Sequence, residues 1–141
     1  MMNRTQASKR NQLAKLIGEK RTSIEVSSYD DNRFECGHEE YLMLTDKEAD
    51  EACEAYILDS VWAFNADFLA CHLKDGIDSD VVVSIQENGK CESNNAAILS
   101  LIGDVDHFVQ DAMKCDGRGH FLAQYDGEER EAGKFFAYRC N

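Results

Sequence analysis

The chain has no proline and few cationic residues for its size: 15 lysines and arginines stand against 27 aspartates and glutamates in 141 residues. The absence of proline fits a largely helical fold, because proline removes a backbone donor and breaks helices. Hydrophobic runs such as Val81-Val82-Val83 are too short to cross a membrane. No apolar stretch follows the charged N-terminal residues, so we predict no secretory signal and the cytosol as the default compartment.

The common catalytic and metal-binding motifs are also absent. The sequence contains no serine nucleophile elbow, Walker loop, dinucleotide fingerprint or zinc-protease helix, which argues against these enzyme classes. The six cysteines are widely spaced, and none form a Cys-x-x-Cys pair. Cys36-Gly37-His38 and Cys71-His72 come nearest to a metal motif, but neither has a matching second half. We therefore predict no catalytic residue, cofactor or metal site.

The negative charge is unevenly distributed along the chain. Residues 1–21 carry six basic groups and one acidic group, a net charge of +5, whereas residues 22–141 carry nine basic and 26 acidic groups, a net charge of −17. Asymmetry of this kind indicates a charged partner rather than a particular fold. We predict a basic N-terminal helical arm at 1–21 and a single acidic domain at 22–141.

The N-terminal segment has a helical pattern over residues 6–20. Leu13, Leu16 and Ile17 form a short apolar stripe at spacings of three and four residues. A solvated or loosely docked helix is the simplest interpretation. The alternative is a basic arm that contacts nucleic acid or the acidic body of a neighbouring copy.

The remaining patterns predict an α+β fold, in which a small antiparallel sheet with a C-terminal β-hairpin packs against a central set of helices. Thr45 and Glu48 have the spacing of a capping box and predict a long helix after residue 45. Asp104 is suited to cap a further helix. The predicted strands span 23–29, 40–45, 120–125 and 134–140, and the predicted later helices span 80–88, the segment after Ser93 or Asn94, and 105–115.

Acidic residues concentrate in three places that we predict to contact a partner. They are Glu48, Asp50, Glu51, Glu54 and Asp59 on the long helix, Asp104, Asp106 and Asp111 on the later helix, and Asp126, Glu128, Glu129 and Glu131 in the C-terminal turn. A single row of this kind is usually a solvated face. Three rows with few interleaved lysines favour a surface that competes for a basic groove built for nucleic acid.

Two further candidates involve other residue types. Trp62 lies at the edge of the apolar face of the long helix, where it either packs in the core or anchors an interface. Arg118 and His120 lie in a glycine-rich segment that suits an anion site. The simpler interpretation of that segment is a turn from helix to strand, because such turns need glycine.

Two stretches resemble a known group of proteins. They are Asp116-Gly117-Arg118-Gly119-His120-Phe121-Leu122 with Tyr125-Asp126-Gly127-Glu128-Glu129 and Tyr138-Arg139, and the stretch from His38 to Ala52. Together they resemble small acidic accessory proteins of tailed phages and plasmids, over most of residues 38–141. The group has no assigned activity, so the resemblance implies no functional residue. Its setting is that of anti-CRISPR and anti-restriction inhibitors, which implies the cytoplasm of an infected or plasmid-bearing bacterium.

The predicted function is inhibition of a host defence system through an acidic surface that partly mimics nucleic acid. The expected partner is a host nuclease or nucleic-acid-binding protein with a basic groove. We expect no membrane contact, and direct nucleic-acid binding only through residues 1–21. The alternatives are a structural or regulatory phage protein that forms homo-oligomers and a small enzyme that uses Arg118 and His120.

Overall fold

The computed structural model describes residues 2–89 and 92–141 and confirms the predicted α+β class. Backbone contacts divide the chain into two compact units. The first contains residues up to Cys53 together with Asp116–Asn141, and the second contains Glu54–Cys115. Both sides of the boundary predicted at residue 21 belong to the first unit. Among the described residues, no helix has the length and apolarity needed to span a membrane.

Seven α-helices and five β-strands lie in the described residues. In chain order they are α1 (Arg4–Ile17), β1 (Glu25–Val26), β2 (Arg33–Cys36), β3 (Glu39–Leu44), α2 (Asp46–Asp59), α3 (Ala66–Ala70), α4 (Ser79–Gly89), α5 (Asn95–Leu99), α6 (Val105–Asp116), α7 (Arg118–Leu122), β4 (Glu129–Ala132) and β5 (Phe135–Arg139). Short 3-10 turns occur at Arg21–Ser23, Val61–Ala63 and Glu92–Asn94.

The first unit is built on one antiparallel sheet with the strand order β1-β2-β3-β5-β4. The central pair joins distant parts of the chain, since Leu42 of β3 lies opposite Tyr138 of β5. The run Tyr41–Leu44 is buried along its whole length. Successive side chains of a strand point to opposite faces, so this run is covered on both faces of the sheet. A continuous apolar run is typical of such a strand.

Helix α1 packs into the core of the first unit. Leu13 is fully buried and clusters with Phe34, Met43 and Phe135 of the sheet. The expectation of a solvated or loosely docked helix is therefore wrong. The stripe at residues 13–17 is short, but all of it contributes, because Leu13 and Ala14 are buried in this cluster and Leu16 and Ile17 pack against it. The Lys9 side chain is buried as well.

The C-terminal hairpin exists, but its first strand does not lie where it was predicted. Residues 120–122 belong to helix α7, and the first strand of the hairpin is β4, Glu129–Ala132, inside the predicted turn. This strand lies at the edge of the sheet and exposes three of its four residues, so it lacks the apolar alternation that marks a strand in the sequence. The chain reverses at Gly133, whose φ of 66° favours glycine.

The second unit is helical. Its buried residues include Leu69, Val82, Ile98 and Phe108. The predicted cap of α6 is confirmed, because the Asp104 carboxylate accepts a hydrogen bond of 3.0 Å from the backbone amide of His107. An isolated bridge between Leu73 and Ile102 joins the loop after α3 to the loop before α6.

Candidate acidic binding surface

The net negative charge belongs mainly to the second unit. Its residues Glu54–Cys115 include 11 acidic and three basic groups, a net charge of −8 over 62 residues. The first unit has 16 acidic and 12 basic groups, a net charge of −4 over 79 residues. The imbalance is thus concentrated in one compact part of the chain.

Glu48, in the first turn of helix α2, is committed to the fold. The Glu48 carboxylate accepts a hydrogen bond from the Thr45 amide and another from the Lys9 ammonium, both at 2.9 Å. Burial opposes ionisation of Glu48, but the Thr45 amide and the Lys9 charge together hold its pKa below 4.5. The Lys9 side chain is 1% exposed and also donates to the Asn32 side chain at 2.7 Å. Glu48 therefore serves as an internal counter-charge.

Arg118 forms ion pairs with three carboxylates of the first unit. Its Nη1 lies 2.9 Å from Asp46 Oδ1 and 3.1 Å from Asp50 Oδ1, and its Nε lies 2.7 Å from Glu129 Oε1. Burial opposes the charge of Arg118, but these acceptors raise the pKa of the guanidinium above its ordinary value. The side chain is 14% exposed and lies 4.7 Å from the ring centre of Phe136.

This geometry gives the predicted anion site at Arg118 no support, because an external anion would have to displace one of the protein's own carboxylates. His120 is exposed, and its ring lies edge-on to Phe121 at 4.9 Å. Tyr125, another residue of this segment, stacks under the Arg139 guanidinium at 3.7 Å.

Most acids of the C-terminal cluster also have basic partners. Arg130 contacts Asp126 at 3.1 Å and Glu128 at 3.4 Å. Glu129 binds Arg118 and accepts a hydrogen bond from the Tyr138 hydroxyl. The negative charge of strand β4 and its preceding turn is thus largely neutralised by Arg118 and Arg130.

The α6 cluster differs, because it has little local positive charge. Asp104 caps the helix and Asp106 is exposed on its first turn. Asp111 is paired instead, because its Oδ2 lies 2.8 Å from Nε2 of the buried His72. The His72 ring packs against Phe108 at 5.4 Å, so this pair is part of the interior of the second unit.

Seven of the twelve predicted acids are therefore paired with a lysine, arginine or histidine. Besides those above, Glu51 lies 3.9 Å from Lys47. Within 2–89 and 92–141, no ion pair reaches the other five, Glu54, Asp59, Asp104, Asp106 and Glu131. Four of these five lie in the second unit and form a set that we name the unpaired acids: Glu54, Asp59, Asp104 and Asp106.

Trp62 lies in the second unit on the 3-10 turn Val61–Ala63 and is partly buried. Its backbone amide donates to Asn95 Oδ1 at 3.1 Å. Its side chain lines two surface grooves. Trp62 is therefore not a fully buried core residue, and its role as an interface anchor stays a prediction.

The cysteines and histidines do not assemble into a metal centre in the described part of the chain. Cys36, Cys53, Cys71 and Cys140 are free thiols, and the Cys115 thiol lies 3.7 Å from Asp111 Oδ1. No three histidine, cysteine, aspartate or glutamate side chains of these residues are placed to hold one metal ion. Burial raises the pKa of the Cys53 thiol to about 11, so this group stays protonated at neutral pH.

No model of a known protein family, no curated protein and no solved structure matches this chain.

Proposed function

We propose that the protein binds a basic surface of a nucleic-acid-handling protein and inhibits it, in the manner of an anti-CRISPR or anti-restriction protein. One observation carries this proposal: the unit Glu54–Cys115 combines a net charge of −8 with the unpaired acids. The assignment to host defence depends on the resemblance to phage and plasmid accessory proteins.

The acids of the chain differ in whether they have a counter-charge, and this difference decides how strongly each attracts a basic partner. A carboxylate held by a neighbouring guanidinium contributes little field at a distance, because the pair is nearly neutral. An unpaired exposed carboxylate keeps its full charge and attracts lysine and arginine within about one Debye length, roughly 8 Å at physiological ionic strength. The second unit therefore supports partial mimicry of a phosphate backbone better than the Arg118 or Arg130 regions do.

Removal of the unpaired charges tests the proposal. The variant Glu54→Gln/Asp59→Asn/Asp104→Asn/Asp106→Asn reduces the net negative charge from −12 to −8 and keeps the side-chain oxygen that caps α6. The protein is used to capture partners from bacterial lysate, and affinity for the purified partner is then measured from low to high salt. We expect the variant to bind at least about tenfold more weakly and to lose most of the salt dependence.

The matched control removes four exposed acids of the first unit: Glu19→Gln/Glu25→Gln/Asp31→Asn/Asp116→Asn. It has the same net charge as the test variant, and we expect nearly wild-type affinity. Equal losses in both variants would show that only total charge matters. Capture of no nucleic-acid-handling protein, or affinity unaffected by salt, would contradict the proposal.

A further inference from the structure

The side chain of Trp62 lines both grooves of the second unit described above. The turn that carries it is held by amide side chains from two other helices. Gln86 of α4 donates from Nε2 to the carbonyl oxygens of Trp62 at 3.3 Å and of Phe64 at 2.7 Å. Asn95 of α5 accepts from the Trp62 amide and donates to the carbonyl of Leu58. These four hydrogen bonds fix the backbone on both sides of the indole, so the grooves are formed before any partner binds.

The first groove is mostly apolar. It has a volume of about 470 Å³. Its lining residues are Trp62, Ala63, Ala66, Val83, Gln86 and Glu87. The two alanines leave room beside the indole for an apolar side chain of a partner. Glu87 is exposed and places a carboxylate at this groove.

The second groove lies against Trp62 as well and is more polar. It has a volume of about 570 Å³ and is lined by Tyr56, Asp59, Ser60, Trp62 and Asn95. Tyr56 is 41% exposed. Asp59 is one of the unpaired acids, so this groove also offers a carboxylate beside an aromatic surface.

We infer that these grooves receive a protein segment in which an apolar side chain is flanked by lysine or arginine. The apolar side chain enters the first groove against Trp62, and cationic side chains reach Glu87 and Asp59. Charge complementarity supports this occupant, since the unit around the grooves has three basic groups against 11 acidic ones. A nucleic acid would bring phosphates to the same carboxylates and be repelled. The inference rests on the proposed function and names the surface and the chemistry of the partner.

The single tryptophan of the chain makes the site directly observable, because Trp62 is the only indole fluorophore. Three synthetic helical peptides serve as probes: one of leucine and arginine, one with serine in place of leucine, and one with glutamate in place of arginine. We expect only the leucine–arginine peptide to shift the emission of Trp62 to shorter wavelength in a saturable manner. Calorimetry on the same peptides measures binding anywhere on the protein.

A matched pair of variants locates the binding. Ala63→Arg places a positive charge and a large side chain in the first groove, on an exposed residue. Val81→Arg makes the same charge change at an apolar position of α4 that is 43% exposed and lines neither groove. We expect Ala63→Arg to weaken the leucine–arginine peptide at least about tenfold and Val81→Arg to change its Kd less than about threefold. Circular dichroism verifies that both variants are folded.

Three results would overturn the inference while leaving the proposed function intact. They are equal affinity for the serine–arginine peptide, calorimetric binding of the leucine–arginine peptide with unchanged Trp62 emission, and equal weakening by the two variants. In each case an arginine peptide still binds to the protein, but it binds outside the two grooves or through its charge alone. If neither arginine peptide binds at any salt concentration, the inference fails together with the attraction for basic segments on which the proposed function depends.

Discussion

Lys9 and Glu48 form an ion pair of 2.9 Å in which the lysine side chain is 1% exposed and the carboxylate is 37% exposed. The pair joins helix α1 to the first turn of α2, 39 residues later in the chain. Because the two partners are buried to different extents, the loss of one is not equivalent to the loss of the other. A buried ammonium that has lost its counter-charge destabilises the folded state more than a partly exposed carboxylate that has lost its lysine.

We therefore expect Glu48→Gln to lower the free energy of unfolding by about 2 kcal/mol, less than for a fully buried pair because the carboxylate is partly solvated. Glutamine keeps an oxygen for the Thr45 amide, so the change removes mainly the charge. Lys9→Met fills the same space without a charge and should cost less than about 1 kcal/mol. Urea unfolding measures both values. Equal losses would contradict the asymmetry.

The pH dependence of Glu48 has a definite sign. Its pKa in the folded protein lies below the ordinary 4.5, so its contribution is fully present above that pH and is lost as the pH falls through the folded pKa. We expect the stability difference between wild type and Glu48→Gln to be constant near neutral pH and to shrink in the acid range below 4.5. Urea titrations at several pH values measure it. A difference that grows on acidification would contradict the assignment.

Arg118 should not be replaceable by lysine. Its Nε and Nη1 reach carboxylates on α2 and β4 at once, and a single ammonium cannot reproduce this fork. We expect Arg118→Lys to lower the free energy of unfolding by about 1–3 kcal/mol. Arg130→Lys is the matched control, because Arg130 is 45% exposed and its ion pairs should contribute less than about 1 kcal/mol. Thermal or urea unfolding distinguishes the two, and equal small losses would contradict this role.

Gly119 is predicted to tolerate no side chain. A Cβ atom there would lie 2.6 Å from the carbonyl oxygen of Gly127 and 2.7 Å from the amide nitrogen of Glu129, and both are backbone atoms that cannot rotate away. We expect Gly119→Ala to cost about 1–3 kcal/mol of unfolding free energy. Gly103→Ala is the control, since the nearest atom to its Cβ would be 3.8 Å away. Similar unfolding midpoints for the two variants would rule out this close approach.

Features set by neighbouring residues were predictable from the sequence. The capping box of Thr45 and Glu48 and the cap at Asp104 depend on contacts three residues apart, and the structure confirms both. The strand predicted at 40–45 is confirmed as β3, Glu39–Leu44. These features depend only on neighbouring residues, so the composition and spacing of the sequence are sufficient to predict them.

Features that depend on distant residues were not predictable. Arg118 lies 72 positions from Asp46 and 68 from Asp50, so the sequence shows three acidic clusters but not which of them are neutralised. Burial of Lys9 depends likewise on Glu48, far along the chain. Helix α7 was missed because it is only five residues long and contains Gly119, and glycine favours a turn over a helix when only neighbouring residues are considered. Pairing of charges, rather than their number, distinguishes the candidate site.

Strand β4 is short and lies at one edge of the sheet, where Glu129, Arg130 and Glu131 are exposed. An edge strand offers unpaired backbone groups to any other strand, and an apolar one invites aggregation of whole molecules. Charged side chains on β4 make such pairing unfavourable, because a second copy would bring like charges into register. The charged residues that made β4 hard to predict from the sequence thus also disfavour the pairing of this edge strand with β4 of a second copy.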